Sequence, residues 1–207
     1  MSDDLATLVK RGKAKAFHKE VRKRLENDGS LVMEAATFSE LTLTGFDFSD
    51  LDMSYCAFED CTLSQCRFVD TTLEGAFFDS VTLLQCIFEE GNVDGWAIDA
   101  STIGKCTFKN LALDRNEWTD SRFNEVTMED ISSEAWWMER VTFEKGAWSE
   151  VSIDEGAWSH VTFRNMSIDN WEPGDLTIKN CYHVGATLDA ESWPDGFIEK
   201  SGRRKAL

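Results

Sequence analysis

The sequence predicts a repeat protein whose short units stack around one shared core, preceded by a helix. The first observation is a row of apolar residues that recur every five positions from Phe38 to Ile168. The second is a row of mostly small residues two positions before each of them. The third is that no insertion or deletion interrupts the frame up to residue 168. One such unit cannot bury its apolar residues alone, whereas stacked units share a continuous core.

The period of five fits neither regular element, because a helix repeats its apolar positions every three or four residues and a strand every two. The row contains 27 positions, and Ser133 is the only polar residue in it. Its members are Phe38, Leu43, Phe48, Met53, Phe58, Leu63, Phe68, Leu73, Phe78, Leu83, Phe88, Val93, Ile98, Ile103, Phe108, Leu113, Trp118, Phe123, Met128, Ser133, Met138, Phe143, Trp148, Ile153, Trp158, Phe163 and Ile168. We call this the central row.

The second row, which we call the small row, holds all six cysteines of the chain. Quintets such as CTLSQ, CRFVD and CTFKN resemble those of the pentapeptide-repeat family. The resemblance covers about three-quarters of the chain. It implies an all-β fold, a right-handed quadrilateral β-helix with four quintets per coil and both rows pointing inward. Residues 36–195 then form eight coils, and the rod is about 38 Å long at strand spacing.

Two departures from the pattern predict local irregularity. Trp96, Trp136 and Trp171 occupy the small row, so we expect the coil to widen there or the rings to rotate outward. Pro173 in the central row predicts a bulge or an irregular coil at 170–176, and the frame decays beyond it.

The ends of the chain differ from the repeats. Residues 3–27 are predicted to form one helix with Ser2 or Asp3 as N-cap and a stop at 28–30. This divides the chain into a helical cap (1–33), a β-helix (34–198) and a basic tail (199–207). The apolar stripe of the helix is Leu5, Leu8, Val9, Ala16, Phe17, Val21 and Leu25. Its eight Lys and Arg residues leave open a second role, contact with an acidic partner.

Composition excludes several classes of protein. The sequence has no apolar run of 18 residues and no secretory signal, so we expect a cytoplasmic protein without a membrane span. The net charge of -17 argues against direct binding of nucleic acid. Trp193, Phe197 and Ile198 offer anchors for a homodimer, but a monomer fits equally well.

Catalytic and metal-binding patterns are missing from the sequence. Cys66, Cys86 and Cys106 lie 20 residues apart and would form one inward column, which does not provide the convergent geometry of a metal site. The three histidines belong to no constellation with a nucleophile. We therefore expect no cofactor, no metal and no enzymatic activity.

The acidic residues carry the functional signal, because residues 36–202 hold 10 basic and 32 acidic residues, a net of -22. Sorted by the 20-residue coil, many of them fall into columns. Column A is Glu74, Asp94, Asp114, Glu134 and Asp154. Column B is Asp50, Asp70, Glu90, Asp130 and Glu150, interrupted by Asn110. Column C is Glu59, Asp79, Asp99 and Glu139, interrupted by Thr119.

The remaining side of the rod differs in charge. It carries a threonine column interrupted by Arg122, and it also has Lys105, Lys145 and Arg164. The threonines are Thr42, Thr62, Thr82, Thr102, Thr142 and Thr162. Negative charge is therefore concentrated on the other sides.

Two functions of different classes fit these features. A charge of -22 over about 38 Å is about one charge per 1.7 Å, the linear density of duplex DNA. The resemblance implies a DNA mimic that binds DNA gyrase or topoisomerase IV through columns A and B, as an inhibitor or as a protector against quinolones or toxins. The alternative is a structural or adaptor module whose partner is unrelated to DNA, bound through the threonine side, the Trp136/Trp137 patch or the basic helix.

Overall fold

The chain forms a β-helix of about eight coils, as seen in a computed structural model that describes residues 4–27, 31–188 and 193–200. Strands of successive coils pair in parallel and in register at an offset of 20 residues, for example Leu43 with Leu63 and Leu63 with Leu83. The right-handed quadrilateral β-helix predicted from the quintets is confirmed.

Most strands of the described residues are short, and three strands in the second half have 13 residues each. Two helices come first, α1 (Leu5–Lys10) and α2 (Ala14–Glu26). The strands follow in this order: β1 (Thr37–Ser39), β2 (Thr42–Thr44), β3 (Ala57–Glu59), β4 (Thr62–Ser64), β5 (Arg67–Val69), β6 (Phe77–Asp79), β7 (Thr82–Leu84), β8 (Ile87–Glu89), β9 (Ala97–Asp99), β10 (Thr102–Gly104), β11 (Thr107–Ala112), β12 (Asn116–Thr119), β13 (Arg122–Asn124), β14 (Thr127–Glu139), β15 (Thr142–Glu144), β16 (Ala147–Ser159), β17 (Thr162–Arg164), β18 (Ser167–Lys179), β19 (Cys181–Val184), β20 (Thr187–Leu188) and β21 (Phe197–Glu199).

The core runs along the axis of the rod. All 27 residues of the central row are buried, which confirms that every fifth residue faces inward. Ser133 is buried as well, and its hydroxyl donates to the Leu113 carbonyl at 2.6 Å. Aromatic rings of successive coils stack on one another, as in Phe68, Phe88 and Phe108 with centroid distances of 4.6 and 5.0 Å. The ring spacing therefore matches the spacing of the strands.

The corners of the coils form a third row, which also recurs every five residues, as at Asp50, Tyr55 and Asp60. Among the described residues of this row, 24 other than glycine adopt left-handed backbone with φ between 47° and 63°. This conformation turns the chain between sides, and it is unfavourable for most residues other than Gly, Asn and Asp. The burial of both inward rows offsets that cost.

In the described part of the second half, three stacked corners lack the left-handed turn. At Ala135, Glu155 and Asp175 the strands β14, β16 and β18 continue through the corner. Trp136 follows the first of these corners, whereas Trp96 and Trp171 follow corners that keep the left-handed turn, at Gly95 and Asn170. Outward rotation does not occur, because Trp96, Trp136 and Trp171 are all buried.

The bulge predicted at Pro173 is absent. Pro173 lies in β18, and it pairs in register with Ile153 of β16. In earlier coils the equivalent residue donates its N–H forward to the next coil, as Leu73 does to the Asn92 carbonyl at 2.6 Å. The missing N–H of Pro173 therefore breaks none of the hydrogen bonds that join β18 to β16.

The N-terminal segment also differs from its prediction. The expected single helix is divided into α1 and α2 by Gly12, whose φ is +62°. Asp4 caps α1, because the Thr7 N–H donates to its Oδ1 at 2.6 Å; Ser2, Asp3 and the stop at 28–30 lie outside the described residues. Of the predicted apolar stripe, Ala16 and Leu25 are exposed.

The far end of the rod is irregular, as the decay of the frame predicts. Strand β21 pairs with β19 through Cys181 and Phe197, an offset of 16 residues instead of 20. Ile198 therefore lies opposite Tyr182, and half of its surface is exposed. Most of the basic tail (199–207) lies outside the described residues.

Candidate functional site: the acidic columns

Column A lies immediately before one corner of the rod. The backbone carbonyls of Glu74, Asp94 and Asp114 each accept an N–H at 2.8 Å from the corner residue of the preceding coil. These hydrogen bonds fix the positions of the three residues along the rod. The side chains of these three are half-buried, and those of Glu134 and Asp154 are exposed. The five carboxylates therefore follow the coil spacing along the rod.

The contacts of column A are mostly with neutral donors. The Glu134 N–H donates to Asp114 Oδ1 at 2.7 Å, and the Tyr55 hydroxyl reaches Glu74 Oε1 at 3.4 Å. Among the described residues, Arg115 is the one cation that forms an ion pair with this column, and its Nε donates to Asp94 Oδ1 at 2.8 Å. Arg115 thus partly neutralises the column near its centre.

Column B occupies a corner of the rod and not one of its flat sides. Its residues are exposed and take left-handed backbone, with φ from 52° at Asp70 to 63° at Asp50. The backbone N–H groups of its first three members each donate to a carbonyl of the next coil at 3.0 Å, as that of Asp70 does to the Glu89 carbonyl. Asn110, which interrupts the column, keeps the same conformation. Asp and Asn tolerate this backbone, so the column follows from the geometry of the turn as well as from charge.

Column C lies on strands β3, β6, β9 and β14, where Glu59, Asp79 and Asp99 pair in register. Arg140 contacts both Glu139 of this column and Asp120, whose oxygens accept from Arg140 Nε and Nη2 at 2.5 and 2.6 Å. These hydrogen bonds with Arg140 lower the pKa of Asp120. The charge of column C is therefore partly neutralised at Glu139, whereas Glu59, Asp79 and Asp99 form no ion pair among the described residues.

The threonine side is a nine-stranded sheet among the described residues, from β2 to β21. It carries two acidic residues that are paired with cations. Glu144 contacts Arg122, and Glu125 lies 3.8 Å from Lys105. This side is close to neutral, so the polarised charge distribution is present in the structure.

The inward cysteines belong to the core. Cys66, Cys86 and Cys106 are buried, and the Cys86 N–H lies 3.3 Å from Cys106 Sγ. Burial raises the pKa of the Cys56 thiol to about 11. Within residues 4–27, 31–188 and 193–200, no three His, Cys, Asp or Glu side chains lie close enough together to hold a metal ion.

The structure reveals features that sorting by columns missed. Arg115 and Arg140 both sit at left-handed corners, so sorting the corner row for cations would have found them. Trp137 is 42% exposed and borders a groove of about 400 Å³ that also contains Ala157 and Thr177. Tyr55 and Phe77 are exposed aromatic residues between columns A and C.

Neither helix in the described part of the chain is long and apolar enough to cross a membrane.

Comparisons with known proteins identify the repeats and the fold. The family profile for pentapeptide repeats matches residues 33–70 with eight copies. QnrB1, a plasmid-mediated fluoroquinolone resistance protein, is 18% identical over 77% of this chain and 89% of its own, with a TM-score of 0.53. This likeness concerns the fold.

Two other solved structures match with lower TM-scores. A pentapeptide repeat protein from the thylakoid lumen of Arabidopsis thaliana is 23% identical over 47% of this chain and 66% of its own, with a TM-score of 0.43. HetL from the cyanobacterium Nostoc is 11% identical over 86% of this chain and 97% of its own, with a TM-score of 0.27. No curated protein matches the chain in sequence.

Proposed function

We propose, from the premise that this chain is a pentapeptide-repeat protein, that it is a non-enzymatic DNA mimic of the cytoplasm. Its partner would be a type II topoisomerase, either DNA gyrase or topoisomerase IV. Columns A and B would replace phosphates in the basic DNA-binding groove of that enzyme. Bound there, the rod would inhibit the enzyme or protect it from quinolones or toxins.

The observation that carries this proposal is the regular spacing of exposed carboxylates along the rod. Backbone hydrogen bonds join columns A and B from coil to coil, as from the Gly75 N–H to the Asp94 carbonyl and from the Asp70 N–H to the Glu89 carbonyl, so the spacing of these carboxylates is set by the fold. The acidic charge of residues 36–202 has about the linear density of duplex DNA, one charge per 1.7 Å. Attraction to a basic groove would speed association and would weaken as salt is added.

The test is a gyrase supercoiling assay and a topoisomerase IV decatenation assay, each with and without a quinolone. The variant Asp114→Asn, Glu134→Gln, Asp154→Asn removes three negative charges from column A, at members that Arg115 does not pair. We expect it to lose at least about ten-fold in potency, because each lost carboxylate leaves a basic group of the enzyme unpaired.

The matched control adds three positive charges on the threonine side, with Thr62→Lys, Thr82→Lys and Thr102→Lys. Both variants change the net charge by the same amount, but only the first alters column A. Equal loss in the two variants, or no effect of the unmodified protein on either enzyme, would reject the mimic.

The alternative function, an adaptor with a partner unrelated to DNA, is favoured by Trp137. Its exposed ring and the adjoining groove provide an aromatic anchor of the kind found at protein interfaces. If Trp137→Ser abolishes the effect on the topoisomerases while the column A variant does not, the contact is made through the groove and not by mimicry of DNA. If the unmodified protein has no effect on either enzyme, the adaptor is favoured.

A further inference from the structure

A nonpolar strip runs along the rod between columns A and C. In three successive coils, the outward residues between the two columns are Tyr55 and Ala57, then Gly75 and Phe77, then Gly95 and Ala97. All six are nonpolar apart from the hydroxyl of Tyr55. We call these residues the Phe77 strip. In the next coil the equivalent residues are Arg115 and Glu117, so the strip ends where charge begins.

The two aromatic residues give the strip its exposed surface. The Tyr55 ring lies over the corner of the next coil, where a Cβ at Gly75 would approach its Cε1 to 2.6 Å. Glycine at residue 75 is therefore what allows the ring to lie along the rod. Tyr55 is 56% exposed and Phe77 is 39% exposed, so an apolar partner could remove both from water.

Carboxylates border the strip on both sides. Glu74 and Asp94 lie on one side, and Glu59, Asp79 and Asp99 lie on the other. Among the described residues, Asp94 is the member of this set that pairs with a cation, Arg115. Neutral donors reach the others, for example the Ser39 hydroxyl, which lies 3.2 Å from Glu59.

We propose that the Phe77 strip is the docking surface for a basic amphipathic helix of a partner protein. Charge complementarity selects this occupant, because apolar side chains would cover Tyr55 and Phe77 while Lys and Arg on both flanks face carboxylates. Mimicry of duplex DNA depends on charged residues and not on an uncharged strip. This proposal is therefore independent of the proposed binding to a topoisomerase.

The dimensions of the strip fit a helix that lies parallel to the rod. Columns A and C are five residues apart in each coil, at most about 17 Å at strand rise, and a helix is about 10–12 Å across. Coils stack at about 4.8 Å, and a helix advances about 5.4 Å per turn. Successive turns of the helix therefore lie over successive coils.

The experiment measures binding of an 18-residue synthetic peptide of Leu and Lys, arranged with one apolar face and labelled with fluorescein, by fluorescence anisotropy. We expect the double variant Tyr55→Ser, Phe77→Ser to bind it at least ten-fold more weakly than the unmodified protein. The control variant Leu84→Ser removes a residue of similar exposure, 41%, from the threonine side, and its affinity should stay within two-fold.

A second peptide keeps the same composition and charge but has its residues reordered so that no apolar face forms. On the unmodified protein it should bind at least ten-fold more weakly, which tests the proposal without any substitution in the chain. Equal binding of the two peptides, equal loss in the two variants, or no binding at 100 µM peptide in about 50 mM salt would each overturn the proposal.

Discussion

Asn116 leaves more side-chain atoms without a hydrogen-bond partner than any other buried residue in the described part of the chain. It lies in the small row and is fully buried, and its Cα pairs in register with that of Trp136. Neither its Nδ2 nor its Oδ1 has a hydrogen-bond partner among the described residues, and the same holds for the indole N–H groups of Trp96, Trp118 and Trp136. A buried polar group without a partner costs about 1–3 kcal/mol.

We expect Asn116→Val to stabilise the protein by about 1 kcal/mol or more, because it removes both unpaired atoms. Valine already fills the same row at residues 126, 141, 151 and 161, so the coil accommodates its shape. The measurement is the midpoint of urea unfolding. A lower midpoint would show that Asn116 is paired in solution.

The matched control is Ser121→Ala, also in the small row. The Ser121 hydroxyl donates to the Thr119 carbonyl at 2.7 Å and accepts the Ser101 N–H at 3.0 Å. Removing it leaves that buried N–H without a partner, so this substitution should destabilise the protein by about 1–3 kcal/mol.

At the scale of the element, α2 closes the first coil through one aromatic residue. Phe17 is fully buried, and its ring lies 5.4 Å from Phe46 and 5.5 Å from Phe48. The His18 Nε2 also accepts the Asp47 N–H at 2.9 Å. The helix thus continues the core over the open end of the β-helix, where strand edges would otherwise be exposed.

We expect Phe17→Ala to destabilise the protein by about 3–5 kcal/mol, the usual cost of truncating a buried phenylalanine. Leu25→Ala on the same helix is the control, because Leu25 is half exposed and should change stability by less than about 0.5 kcal/mol. Similar losses in urea unfolding for both variants would show that α2 packs differently on the first coil.

In the last coil, the His183 ring stacks on the Trp193 ring, and the charge of His183 depends on pH. His183 and Trp193 lie 4.4 Å apart with nearly parallel rings. Burial lowers the pKa of His183, although the Glu199 carboxylate acts in the opposite direction. Because the folded pKa lies below the unfolded value of about 6.5, the stabilising contribution is complete above that pH and is lost as the pH falls through the folded pKa.

We therefore expect the last coil to open more often at pH 5 than at pH 7.5. The amide of Lys200, which donates to the His183 carbonyl at 3.0 Å, reports this opening through its hydrogen-exchange protection factor. His183→Phe keeps a flat ring against Trp193 but cannot titrate, so its protection should not fall. An equal fall in both proteins would assign the effect to other groups.

For the whole molecule, the sequence predicted the rod and the core because one period governs both. The five-residue frame identifies every inward position, and it places Glu59, Asp79 and Asp99 in register. It could not predict that Arg115 reaches Asp94, or that Tyr55 lies over Gly75, because these contacts depend on side-chain direction at the corners. The prediction of a single helix over residues 3–27 was wrong at Gly12, because the sequence alone does not show whether a glycine inside a helical pattern weakens the helix or ends it.

The corner position of column B determines how its charge can be removed. Neighbouring carboxylates about 5 Å apart repel by about 0.8 kcal/mol in water before screening. A replacement has to adopt the left-handed backbone of the corner, which few residue types can do without a steric cost. Asparagine can, since Asn110 and Asn170 already occupy the same corner with φ of 50° and 49°.

We expect Asp70→Asn with Asp130→Asn to raise the urea midpoint at low salt, by a gain of about 1 kcal/mol. These substitutions remove repulsion from three neighbouring pairs, in which Asp70 faces Asp50 and Glu90, and Asp130 faces Glu150. The gain should nearly vanish in 1 M NaCl, where the screening length is about 3 Å. Asn110→Asp is the reverse control, because it places a carboxylate between Glu90 and Asp130 and should lower the midpoint at low salt alone. A gain that persists in 1 M NaCl would mean that the corner prefers asparagine for its backbone, and that the carboxylates of column B do not repel one another measurably.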